Sequence, residues 1–297
     1  MRATVSAVEE LTNTEFIKTS RLGKAEVRAL TIKLTPLLPR QRRKDAITPN
    51  LKILIALAFY ATGSYQTLVG QSVFHNVSQT TVSRAVRQVT EALNSIFLQY
   101  VIWPKHVQDR NKIKTICDAE LNILYVDASS PGSAHDSSVW QSSPICNHMR
   151  ELCDAGEHVF LLGDSGYPLR TNMMTPILNT VEGTPEHQYY QLHVTARNTV
   201  ERCIGVLKAR FRCLLAARAL HYDPITAGKI VNACCVLHNI ANKNRLPVPH
   251  LTPEEALAEM QQQHQIEREI SIASAQGLEL EPNHRVNPDL HRGRLLQ

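Results

Sequence analysis

Three acidic residues sit in settings that suit hydrolytic chemistry. Asp136 follows the turn Pro131-Gly132-Ser133-Ala134-His135, and Asp164 closes the apolar run Val159-Phe160-Leu161-Leu162 just ahead of Gly166. Glu201 lies within a stretch of helical periodicity. Carboxylates at strand ends, joined by one from a helix, form the donor set of a divalent-metal nuclease. Mg²⁺ and Mn²⁺ prefer oxygen ligands, and two such ions about 3.5–4 Å apart activate water and stabilise the leaving oxygen. Each acid alone is equally compatible with a solvated surface or a helix cap; their order and setting carry the reading.

The spacing around Glu201 predicts a helix over 195–211 with two unlike sides. Arg197, Glu201, Gly205, Lys208 and Arg212 fall on one, and Val200, Ile204, Leu207 and Phe211 on the other. Glycine inside a helix costs about 0.5–1 kcal/mol relative to alanine, so Gly205 needs a reason. A nucleic-acid backbone passing close by is one; tight helix–sheet packing is another. Arg197 and Glu201, four residues apart, also suit a plain surface ion pair.

A second group suits DNA contact. Ser78 can cap a helix running to about residue 100, with Val82, Val86, Val89, Leu93 and Phe97 turned to the core. Gln79, Thr80, Thr81, Ser83, Arg84 and Arg87 occupy the remaining surface near its start. A short helix, a turn and then a longer helix with polar and Arg residues first is helix-turn-helix geometry. Gln and Arg can bond base edges while Ser and Thr meet phosphates. A plain helical packing unit with a solvated face fits the same pattern.

The elements that would position these residues are mostly helices. Periodicity predicts one over 24–34 with Val27, Leu30 and Leu34 inward, and one from the Thr48 cap and Pro49 to a Gly63 stop. A short helix capped by Ser64 should end at Gly70. Strands are expected at 115–117 and 123–126 about a turn at 118–122, and at 159–162. A buried helix capped by Asp223 should run to about residue 242, and an amphipathic one should start from the capping box Thr252-Pro253-Glu254-Glu255. The polar tail beyond Ala273 reads as disordered.

Composition narrows the function classes. Residues 1–114 hold 17 Lys/Arg against 7 Asp/Glu, and residues 115–297 hold 15 against 20. A basic first third ahead of an acid-rich remainder suits a polyanion-binding module joined to something that uses carboxylates. The longest apolar run, Ile53 to Ala61, is far too short to span a bilayer, so no membrane partner is expected. The first residues carry no basic-then-apolar leader pattern, and Asn76-Val77-Ser78 is read as a chance glycosylation match. Seven cysteines with no C-x-x-C pair argue against a disulfide framework or a zinc site and for a reducing compartment.

Four ordered blocks then carry a family resemblance: Pro131-Gly132-Ser133-Ala134-His135-Asp136; Leu161-Leu162-Gly163-Asp164-Ser165-Gly166-Tyr167-Pro168; Arg197-Asn198-Thr199-Val200-Glu201-Arg202 through Arg212-Cys213; and Ala233-Cys234-Cys235-Val236-Leu237-His238-Asn239-Ile240. Together with Tyr60-Ala61-Thr62-Gly63-Ser64-Tyr65-Gln66 and Ser78-Gln79-Thr80-Thr81-Val82-Ser83-Arg84, they resemble the PIF/Harbinger transposase superfamily over roughly residues 14–245. The likeness is greatest to its domesticated nuclease branch. The resemblance implies an α/β chain: an all-helical, helix-turn-helix-like DNA-binding region at 1–114, an RNase H-like mixed α/β nuclease domain at 115–245, and an amphipathic helix with its tail at 246–297.

By matching positions, Asp136 is the second catalytic Asp, Asp164 an additional acidic ligand and Glu201 the final Glu. The metal is Mg²⁺ or Mn²⁺, and Arg84, Arg87, Arg197, Lys208 and Arg212 are the DNA contacts. A Myb/SANT-type protein partner and residence in the nucleus, with the cytoplasm second, also follow from the resemblance. One departure stands out. The family's strand of the form apolar-Asp-Gly-Thr-His, which bears the first catalytic Asp, has no counterpart here. Ile102-Trp103-Pro104 and the charged segment to Lys114 run straight into Thr115-Ile116-Cys117-Asp118-Ala119. Impaired hydrolysis is expected, with a non-enzymatic DNA-binding or scaffold protein as the alternative.

Overall fold

The computed structural model describes residues 10–40, 47–71, 76–103, 117–126, 141, 143–157, 160–163, 167, 169–215 and 222–276. Helices dominate, because the sequence supplies caps and apolar faces at nearly every start. α1 (Asn13–Ser20) opens with a capping box between Thr12 and Glu15, and α2 (Lys24–Leu34) buries Val27, Leu30 and Leu34. α3 (Pro49–Thr62) starts from Thr48, whose hydroxyl accepts the Leu51 N–H at 3.3 Å, and ends at Gly63 in the left-handed region, φ 61°. Apolar on nearly all sides, α3 becomes the central rod of the core.

α4 (Gln66–Gly70) forms without the expected Ser64 cap; its N-cap is Tyr65, which makes no side-chain cap bond. α5 (Gln79–Ser95) is capped by Ser78 and buries Val82, Val86, Val89 and Leu93. It stops short of residue 100 and gives way to a 3₁₀ turn, Phe97–Gln99.

The expected strands are much reduced. About the turn at 118–122 there is a single antiparallel bridge, Cys117 to Ile123, with residues 115 and 116 outside the described set. After α6 (Pro144–Asp154), the third apolar run yields only β1 (Leu161–Leu162). β1 pairs in parallel with β2 (Met173–Met174), a strand the periodicity did not signal. An apolar run becomes a strand only where a neighbour takes up its backbone groups, and few neighbours are offered among the described residues.

The helix expected over 195–211 is α7 (Pro185–Arg210), longer by a decade of residues at its start. Thr184 accepts the His187 N–H at 3.3 Å, Pro185 occupies the first turn and Glu186 faces the positive end of the helix dipole. α8 (Pro224–Lys243) is capped by Asp223 and buried almost throughout. α9 (Pro253–Gln276) starts from the Thr252/Glu255 capping box and passes Ala273 by a turn; the tail beyond 276 lies outside the described residues.

One apolar core runs from Phe16 through α3 and α5 to Val200, Leu207 and α8, so it is continuous across the expected boundary at residue 114. A smaller cluster joins α6, β1 and β2 through Ile145, Met149, Leu161, Tyr167 and Met173. No disulfide joins the seven cysteines. Among the described residues, no helix is long and apolar enough to cross a membrane.

Candidate functional site on the α7 helix

The two sides of α7 do different work. Its inner side buries Val200, Cys203 and Leu207 and holds the Cys117–Ile123 hairpin. The Cys117 thiol points to the Thr199 carbonyl at 3.9 Å, and the Cys203 thiol to the Leu121 carbonyl at 3.3 Å. The hydrogen bond with Cys117, reinforced by burial, pushes the Cys203 thiol far up, so it stays protonated.

Where α7 meets α8, a buried polar network fixes the hairpin. Arg210 is 2% exposed and has no carboxylate among its partners. It donates to Nδ1 of His238 at 3.3 Å, to Oδ1 of Asn242 and to the Leu246 carbonyl at 3.1 Å. Because Arg210 can only donate, Nδ1 must accept. The neutral ring then carries its hydrogen on Nε2, 2.8 Å from the Leu121 carbonyl. Burial lowers His238 to about 4 and Arg210 to about 10. Asn239 accepts the Ile123 N–H at 2.8 Å and donates to the Ile123 carbonyl at 2.7 Å, pairing that residue as a neighbouring strand would.

The outer side of α7 carries the residues singled out from sequence. Glu201 is exposed and lies 3.5 Å from Arg197 in the i,i+4 ion pair that the spacing allowed. Gly205 is also exposed, and no described residue comes within 4 Å of a Cβ built there. Among the described residues, no element packs on this glycine. Lys208 and Arg212 meet α9: Lys208 pairs with Glu259, while Arg212 lies 3.4 Å from Glu255 and donates to the His250 carbonyl at 3.2 Å.

Arg84 and Arg87 stand exposed on α5, beside exposed Gln79, Thr80 and Ser83. Asp136 and Asp164 lie outside the described residues. Asp118 has both oxygens engaged by Asn122, from its N–H at 2.7 Å and its side-chain amide at 2.8 Å. Among the described residues, no three His, Cys, Asp or Glu side chains gather as a metal site.

Sequence reasoning missed Arg210, His238, Asn239 and Asn242 as a unit, and missed Glu255 and Glu259 as partners of α7. The available signal was three large polar side chains within an otherwise apolar helix, since such groups are buried only when bonded.

Comparison with known proteins decides the family. Residues 100–239 match the DDE superfamily endonuclease family. The human protein "Putative nuclease HARBI1" is 30% identical over 277 residues, taking in 76% of this chain and 77% of that protein. The chain belongs to the Harbinger transposase-derived nuclease family. The bovine family member of the same name is 31% identical over the same shares. An Arabidopsis thaliana relative, "Protein ALP1-like", is 20% identical, over 66% of this chain and 61% of its own length. No solved structure matches the chain. The human match spans 277 positions yet engages 76% of the 297 residues here, about 226. Roughly fifty positions of that span thus have no counterpart in this Harbinger-type chain.

Proposed function

We propose that this chain binds DNA and carries a Harbinger-type phosphodiesterase site that is incomplete. Asp136, Asp164 and Glu201 are its remaining carboxylates, in an RNase H-like domain at 115–245 that follows a helix-turn-helix-like region at 1–114. The observation that carries the reading is Glu201, which faces solvent from the side of α7 opposite the core. A solvent-facing carboxylate, paired only with the exposed side of Arg197 among the described residues and near an exposed glycine, suits one ligand of a hard divalent cation. Such a cation supplies an activated water and charge neutralisation at the leaving oxygen. The chain's own part is to present the carboxylates, with Arg84, Arg87, Arg197, Lys208 and Arg212 holding the phosphates. Family membership also makes a Myb/SANT-type partner and residence in the nucleus, with the cytoplasm second, part of the proposal.

The loss of the first Asp-bearing strand is supported by the roughly fifty unmatched positions of the human alignment. It is supported too by Asn239 serving Ile123 where a strand would. The engaged oxygens of Asp118 favour a second reading, a DNA-binding protein without chemistry, because replacing the lost ligand would cost the turn.

DNA binding is tested by its salt dependence. Each phosphate neutralised contributes about −0.9 to the slope of log K against log salt. Replacing Arg84 and Arg87 with Ala should weaken binding to any duplex and flatten that slope by up to about 2. Unchanged affinity and slope would remove the helix-turn-helix surface from the account.

A further inference from the structure

The cations on the outer side of α7 are covered by an acidic helix rather than by core. Glu259 lies opposite Lys208 of α7, and Glu255 opposite Arg212 in the 3₁₀ turn Arg212–Leu214 that follows α7. At the same corner Arg21, at the end of α1, donates to the Arg210 carbonyl at 3.0 Å and to the Ala61 carbonyl at 3.3 Å. Burial lowers the Arg21 guanidinium, the neighbouring Arg212 lowers it further and Glu255 opposes that, which places all three charges together.

The contact is ionic in character. Among the described residues, none of α9 joins either apolar cluster, while Leu257 at 54% and Met260 at 59% remain exposed. Arg212 reaches Glu255 through one terminal nitrogen, and its Nε–H has no acceptor among the described residues. A phosphate can take two guanidinium hydrogens at once, so Glu255 under-uses the group it covers. One turn nearer Glu201, Gly205 leaves room for a backbone to pass.

We propose that Arg21, Lys208 and Arg212 form a binding surface for the phosphodiester backbone of DNA, and that Glu255 and Glu259 of α9 occupy it as an acidic stand-in which DNA must displace. This rests on the DNA-binding reading above and adds Arg21 to the surface and a strap that regulates it. Detaching α9 exposes little apolar area and frees Lys208 and Arg212, next to Arg21 and the Glu201 face, so the strap opens in proportion to the polyanion that competes for it.

The test is duplex binding by fluorescence anisotropy, using a labelled random-sequence duplex and the full chain with and without E255Q/E259Q. The double variant should bind on the order of tenfold tighter. Amides of residues 253–261 in the wild-type chain should lose exchange protection when duplex is added, a measurement that needs no variant. If wild-type chain binds duplex while E255Q/E259Q changes neither affinity nor exchange, the strap is overturned and the DNA reading stands. If neither chain binds duplex at low salt, the DNA reading falls and this surface with it.

Discussion

At the scale of single residues, the feature that most constrains this protein is a buried cation with no acid beside it. Arg210 is held by His238, Asn242 and the Leu246 carbonyl, and His238 in turn holds Leu121. The Arg210–His238 hydrogen bond holds only while His238 is neutral, because a protonated ring would present Nδ1–H to a guanidinium. The unfolded chain takes up this proton near the ordinary value of 6.5, and the folded chain only near 4. Stability present above pH 6.5 is therefore lost as pH falls toward 4, by roughly 3 kcal/mol from this residue. Chemical denaturation at stepped pH should record that decline, and His238→Gln should start from a lower stability and lack the slope. A parallel decline in the variant would assign the acid sensitivity elsewhere. Sequence marks the polar side chains of α8 as groups that need partners but does not name the partners, because residues 28 to 117 positions apart leave no local spacing to read. The caps at Thr48, Ser78, Asp223 and Thr252 were legible, since a cap and the N–H it binds lie within three residues.

Elements show the same division. Helices α2, α3 and α8 match their expected bounds closely, because periodicity and termini are local properties. The early start of α7 was missed although Thr184, Pro185 and Glu186 form a start signal of the same kind. The apolar pattern there begins only later, and pattern was given precedence over cap. The strands were legible as positions but not in extent: Leu161–Leu162 and the Cys117–Ile123 bridge fall where they were expected, while an apolar run states that a segment is buried, not that a neighbour exists. Gly63 joins the two halves of the chain. Its φ is 61°, and a Cβ there would lie 2.8 Å from the Arg212 carbonyl and 2.9 Å from Cys213 backbone atoms. Gly63→Ala should cost roughly 2–4 kcal/mol, part from left-handed strain and part from backbone overlap. A denaturation midpoint equal to that of the parent would mean that the end of α3 and the 212–214 turn are not in close contact.

For the molecule as a whole, the basic and acid-rich segments seen in the composition pack around one core. The polyanion surfaces proposed on α5 and α7 are thus parts of a single body, and the acidity of the second segment includes the two glutamates that cover α7. Family membership was legible because its blocks are short and ordered. The site was legible only in part, since Asp136 and Asp164 lie outside the described residues. Catalysis is where the account is most exposed. Two-metal hydrolysis needs several anionic oxygens to hold cations beside a negatively charged phosphodiester, and the site proposed for this chain is one carboxylate short. The deciding measurement is Mn²⁺-dependent nicking of supercoiled plasmid by three proteins: this chain, the chain with a family-like Asp-bearing strand inserted ahead of Thr115, and that restored chain with Glu201→Ala. The account predicts nicking by the second alone. Robust Mn²⁺-dependent nicking by the chain as it stands, abolished by Glu201→Ala, would contradict it and show that another acid fills the missing role.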